Sequence, residues 1–412
     1  MELEMDLKLR LRRYISMGLL SVGIALGATV GEAATYYVAQ TGSDNNSCAQ
    51  AANQSGAKKT IRAGISCLVA GDTLTVTAGT YNEALSNPFS NTGTSWTSKI
   101  TVKAEPPKTV IIKPTSAQDV VAFSSSSQKY IEFDGFEIDA SNVQTYGVRI
   151  WASANHIRFK NSVIVNAPNQ GVSILKDGGA SPDFNEFINV EVAYTAWNKK
   201  CNGSSEGAKD GYCHAFYVSG DNNLLDGVSL HNNNGYGVQF YPQGNRGNTI
   251  RNSVSYSNKG TGIASLGIDN RVINNVVYDN DEGGLLITES NCLVYNNTVY
   301  NNPGGWGGMN LQGSGHKVKN NIFYQNGVSG ISLDSTNLNG TNPQFVNAAS
   351  GNFRLQASSS AIDRGISLPE VTTAIDGTPR PQGASFDIGA YEYGGSGVAD
   401  TPPAAPLNLR VN

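Results

Sequence analysis

Between residues 149 and 241 the chain places side chains that could move a proton next to side chains that could neutralise an anion. Lys209, His214, Tyr217 and Tyr241 are candidate acids and bases, and Arg149, Trp151, Lys199, Lys200 and Gln239 are candidate binding groups. Together they suit β-elimination from a uronic acid chain. That reaction needs a cation or hydrogen-bond donors on the carboxylate, a base for the C5 proton, and an acid at the leaving oxygen. Arg149, Gln239 and the lysines would neutralise, Lys209 or His214 would act as base, and Tyr217 or Tyr241 as donor; Trp151 and Trp197 would stack on sugar rings. The competing reading makes the tyrosines plain covering residues of a β surface and His214 a structural hydrogen-bonding group.

The elements that must position these residues follow from a repeat. A glycine followed by an apolar residue recurs at Gly147, Gly171, Gly237, Gly262, Gly284, Gly308 and Gly330, at steps of 24, 66, 25, 22, 24 and 22. A second ladder, Asn252, Asn274, Asn296 and Asn320, keeps steps of 22, 22 and 24. Helical-hairpin and propeller repeats need longer units. Each unit instead reads as two short alternating strands separated by Asn-rich turns, which is one coil of a parallel β-helix, with Val254, Val276, Thr298 and Ile322 as one internal row. Asn suits the bends because it tolerates left-handed backbone and can bond from coil to coil. Alternation after each ladder glycine gives an outward row of Arg149, Ser173, Tyr217, Gln239, Ala264, Leu286, Asn310 and Ser332, with Trp151, Leu175, Ser219, Tyr241, Leu266, Thr288, Gln312 and Asp334 beside it.

Residues 35–393 resemble the right-handed parallel β-helix repeat proteins, the pectate lyase-like superfamily that includes alginate lyases and polysaccharide epimerases. The resemblance rests on Tyr36-Tyr37-Val38 through Asp44, on Thr60-Ile61-Arg62, and on Gly71-Asp72-Thr73 through Glu83. It implies an all-β solenoid whose N-terminal end, residues 34–70, carries a short capping helix near 60–68. Ala361-Ile362-Asp363, Asp376-Gly377-Thr378 and Asp387-Ile388-Gly389 resemble the choice-of-anchor Q group, and residues 346–393 are read as C-terminal capping structure. No catalytic signature of the superfamily is matched. The Asp-Asp pair and Gly-His-Gly segment of its hydrolases and the Asp-Pro-His segment of its epimerases are absent.

Residues 1–33 read as an export signal, since Lys8, Arg10, Arg12 and Arg13 precede an apolar run ending in small residues. A secreted or cell-surface monomer is expected, with no membrane span once the signal is removed, and residues 394–412 read as a flexible tail. Export makes disulfides the natural use of cysteine. Cys48 is paired with Cys67 and Cys201 with Cys213, inside an insertion between Tyr194 and Ala215, while Cys292 is left as a buried free thiol.

The formal charge of −4 gives no general basic field for nucleic acid; the local cluster of Lys199, Lys200 and Lys209 beside aromatic residues makes an acidic polysaccharide the expected partner. Asp279, Asp281 and Glu282 form a calcium-like turn with too few fixed ligands to assign a metal site, so Ca2+ stays open as a cofactor. A non-catalytic glycan-binding or spacer rod is the alternative function.

Overall fold

A chain that bends every few residues leaves backbone N–H groups at each corner that no strand pairing satisfies. Here asparagine side chains satisfy them from one coil to the next. At one corner the Asn275, Asn297 and Asn321 amides donate to Asn297, Asn321 and Asn337 at 3.0, 2.9 and 3.0 Å. At a second, Asn233, Asn258, Asn280 and Asn302 donate in turn toward Asn326 at 2.8 to 3.3 Å. At the third, Asn185 donates to Asn223 and Asn223 to Asn248. The accepting oxygens also take a backbone N–H of the preceding coil, as Asn297 does from Asn275 at 3.0 Å. All these asparagines but Asn326 are buried.

In the computed structural model, which describes residues 33–197 and 212–394, these corners separate three strands per coil, as in Thr261–Ser265, Arg271–Ile273 and Val276–Tyr278. The expectation of two strands per unit is corrected. A single left-handed residue between the second and third strands, such as Asn274 at φ 60° or Asn296 at φ 51°, is enough to turn the chain, so one ladder asparagine marks a corner between two strands without any longer turn segment. Successive coils pair in parallel into a 20-stranded and a 10-stranded sheet. The only antiparallel sheet among the described residues is Phe345–Asn347 with Asn352–Leu355.

The interior is a set of stacked rows. Phe133, Phe159 and Phe187 lie in register and continue as Leu225, Ile250, Val272 and Val294, all fully buried. The Phe159 and Phe187 rings stack at 5.4 Å. At the N-terminal end, helix Ile61–Ile65 is capped by the Thr60 side chain and by Glu83, which accepts the N–H groups of Ile61 and Arg62. The Cys48–Cys67 disulfide ties this region together, and Cys292 is a free, buried thiol that burial pushes up to about 11.

Val254, Val276, Thr298 and Ile322 do stack in one row, but the row faces outward; the inward row beside it is Ser255, Val277, Val299 and Phe323. The outward row is apolar because the C-terminal segment covers it. Phe345, Phe353, Ala361, Ile388 and Tyr391 form a second core with Val276 and Ile322. That segment docks on the left-handed asparagines. Asn296 donates to the carbonyls of Asp387 and Gly389, Asn320 bonds both polar groups of Ile366, and Arg380 reaches Asn274 while forming a fully buried ion pair with Glu392. The second strand's outer face has a different finish. Glu132, Arg158 and Glu186 lie in register, Arg158 bridging to both carboxylates at 3.0 and 2.7 Å.

Two outcomes follow for stability. Asn297→Ala removes ladder bonds and strands buried partners, and should lower the unfolding free energy by about 2 to 3 kcal/mol. The exposed bend change Asn189→Gly should stay within about 0.5 kcal/mol in the same urea titration. Arg380→Met leaves Glu392 buried without its cation and should cost about 3 to 5 kcal/mol, accompanied by early proteolysis within residues 345–393; a loss below about 1 kcal/mol would contradict the docking described.

Candidate functional site

The 10-stranded sheet presents the face on which the candidate side chains meet. In strands Val143–Trp151 and Gln170–Leu175, Val148, Ile150, Val172 and Ile174 point inward, so Arg149, Trp151 and Ser173 point outward. Arg149 pairs in register with Ser173, Ser173 with Tyr217, and Tyr217 with Gln239. The row continues through Ala264, Leu286 and Asn310, and ends at Ser329 rather than Ser332. The last coil is shorter than the spacing implied: Gly327, not Gly330, takes the ladder place and accepts the Gly308 N–H at 2.7 Å.

Arg149 is held on three sides. Its guanidinium lies 3.9 Å over the Trp151 ring and 5.5 Å from Tyr146, and one terminal nitrogen stands 3.9 Å from the Asp119 carboxylate. Asp119 is buried and accepts the Thr145 hydroxyl; burial raises its carboxyl above the usual range, against the pull of Thr145 and Arg149. The result is a cation with its face stacked and its position fixed. Such a group can accept a carboxylate.

Tyr217 is half-buried two coils along the same row from this cation, with its ring 6.3 Å from that of Tyr241, which is 41 % exposed. Burial, and then the neighbouring Tyr241, Tyr146 and Tyr212 phenols, push the Tyr217 hydroxyl above its ordinary value. It therefore keeps its proton at neutral pH and is suited to donate rather than to abstract. Gln239 lies beside it, partly exposed, in the next coil.

His214 does not join the solvent-facing group. It is fully buried, its Nδ1 accepts the Tyr236 N–H at 3.0 Å, and its ring stacks on Tyr236 at 4.7 Å. The imidazole thereby satisfies a backbone N–H of the following coil, just before strand Val238–Phe240. The His214 ring also lies 6.2 Å from that of Tyr217 and nearly parallel to it. Lys199, Lys200, Lys209 and Cys201 lie outside the described residues; Cys213 is buried and disulfide-bonded. Trp197 sits apart from the Arg149 row, with the Lys259 ammonium 5.0 Å from its ring.

Asp119, Tyr146 and Tyr212 were not read from the sequence. Asp119 belongs to a coil that no ladder glycine marks, and Tyr146 stands immediately before Gly147, where the alternation counted from the glycine does not reach. Among the described residues no three His, Cys, Asp or Glu side chains gather to hold a metal, and the Asp279 carboxylate accepts the Asn301 amide at 2.6 Å.

Three parallel strands per coil and corner asparagine ladders define the class, a right-handed parallel β-helix. Residues 214–364 match the family described as "Right handed beta helix region" and residues 36–260 match "Pel9A-like, right handed beta helix region". The chain belongs to the Pel9A-like right-handed β-helix family. Among solved structures it is similar to pectate lyase Pel9A, at 17 % identity over 87 % of this chain and 97 % of that one, with a TM-score of 0.58. It is also similar to a rhamnogalacturonan lyase, at 17 % identity over 79 % and 95 %, with a TM-score of 0.56. Identity this low carries the fold. No curated protein matches the sequence.

If Trp151 is a surface platform for Arg149, Trp151→Ala should cost only about 1 kcal/mol in denaturant unfolding. The buried Phe159→Ala should cost about 3 to 5 kcal/mol in the same assay. Equal losses would make Trp151 a packing residue.

Proposed function

We propose that this chain acts on uronate-containing polysaccharide by β-elimination, outside the cell, as an exported protein. The observation that supports this most is the fixed Arg149 cation stacked on Trp151, two coils along the same outward row from the protonated Tyr217 phenol on the outer face of a β-helix. Arg149 would take the carboxylate and lower the cost of the enolate-like charge that develops when the C5 proton leaves. Tyr217 would donate its proton to the departing glycosidic oxygen, with Gln239 and Tyr241 holding the sugars on either side. With His214 buried, Lys209 is the base assigned on the sequence, beside Lys199 and Lys200 as further charges for the substrate. The choice-of-anchor Q resemblance of the C-terminal segment fits attachment at a cell surface, and Ca2+ remains a cofactor to be tested. Among the described residues no helix is long and apolar enough to cross a membrane.

A second reading is favoured by the burial of His214, which takes one of the two assigned bases out of the face. In it the same Arg149, Trp151, Tyr217 and Tyr241 surface binds acidic glycan without cleaving it.

Purified protein incubated with alginate, pectate and glycosaminoglycans, with and without Ca2+, should release products carrying the unsaturated uronate chromophore from one of them. Tyr217→Phe should then lower turnover by about 10²-fold or more with little change in melting temperature, as for an acid acting in the transition state. Retained binding with no unsaturated product from any of these polymers would leave the binding reading and remove the catalytic one.

A further inference from the structure

A concave site lies near the other end of the same sheet, away from Arg149. Asn302 to Gly307 and Gln325 to Ser329 enclose a cavity of about 440 Å3. Ser329, which lines it, is the last residue of the outward row and stands five register steps from Tyr217, roughly 24 Å at the usual strand spacing.

The sequence builds this hollow from glycine around one indole, as Pro303-Gly304-Gly305-Trp306-Gly307-Gly308. Gly304 presses on the carbonyls of Asp281 and Glu282, where a Cβ would come within 2.3 Å of oxygen. Gly307 has φ +61°, and a Cβ there would meet the Gly327 carbonyl at 2.7 Å. These close approaches pin the loop, and the Trp306 N–H donates to the Glu282 carbonyl at 3.1 Å. At Gly305 and Gly327 the reverse holds. Nothing lies within 4 Å of where a side chain would be, so the loop's outer side is open. The half-buried Trp306 is thus held at the mouth by backbone bonds, with Gln325 and Ser329 exposed at the rim.

None of the residues lining the hollow is ionisable. A carboxylate entering it would lose water without gaining a cation, which is costly. A neutral pyranose has the matching chemistry: an apolar C–H face for the indole, and hydroxyls for amide, hydroxyl and backbone groups. We propose that this pocket is a second carbohydrate site, which takes a neutral sugar ring against Trp306 and is distinct from the cationic Arg149 face. It does not depend on the elimination reaction; a protein that produces no unsaturated ends can still use it.

The test is electrophoresis of the whole protein through native gels containing xylan, galactan, glucomannan or polygalacturonate. Wild type should be retarded by at least one of the three neutral polymers. Trp306→Ala should weaken that retardation by about tenfold, the scale of one lost ring stack. Trp306→Phe should largely restore it, and Trp151→Ala should leave it unchanged. Oxidative labelling of wild type gives a readout that needs no variant, since the retarding polymer should protect Trp306. Absence of retardation by all three neutral polymers, or undiminished retardation of Trp306→Ala, or an unprotected Trp306, would overturn the proposal. Failure of the elimination reading would show separately, as the absence of unsaturated product.

Discussion

Corner satisfaction governs this structure. A coil can close only where its bend polar groups are bonded, and in the later coils the partner at most corners is the asparagine one coil further on. The constraint acts along the stack. Because Asn275 bonds Asn297 and Asn297 bonds Asn321, coil height and register are fixed together, and the side chains between the corners have no freedom to slip. A one-residue slip would turn every inward valine outward and break a ladder at the same time. The left-handed asparagines use the same principle on the outside, where Asn274, Asn296 and Asn320 offer their amides to the C-terminal segment instead of to water.

Fixed register in turn gives the three outer faces separate tasks. The second strand's face is closed by ion pairs around Arg158, and part of the third strand's face is sealed under Phe353, Ile388 and Tyr391. The 10-stranded sheet keeps Trp151, Tyr217 and Tyr241 toward solvent. On that sheet a cation held by aromatic rings and a buried carboxylate lies toward one end, and an uncharged pocket around Trp306 toward the other. A polymer lying along the sheet would therefore meet unlike chemistry at its two ends, a consequence of parallel stacking, which repeats the spacing but leaves each outward side chain free to vary.

The sequence by itself determined the coil, its period and the outward row from Arg149 to Gln239, because a parallel stack repeats its bends and alternates its faces, and both leave a periodic mark on the chain. Gly147, Asn274 and their successors carry that mark locally. Whether a row such as Val254 to Ile322 faces in or out was decided only by the tertiary structure, since a strand covered on both sides is apolar on both sides, and the cover comes from residues 345–391, far along the chain. The surroundings of His214 were decided in the same way: its type and its place beside Tyr217 suit a base, and the fold buries it with its Nδ1 taken by the Tyr236 N–H. Asp119 behind Arg149 and the glycine hollow around Trp306 likewise arise from side chains and loops of different coils. Periodicity reports what each coil has in common, and a site is made of what neighbouring coils do differently.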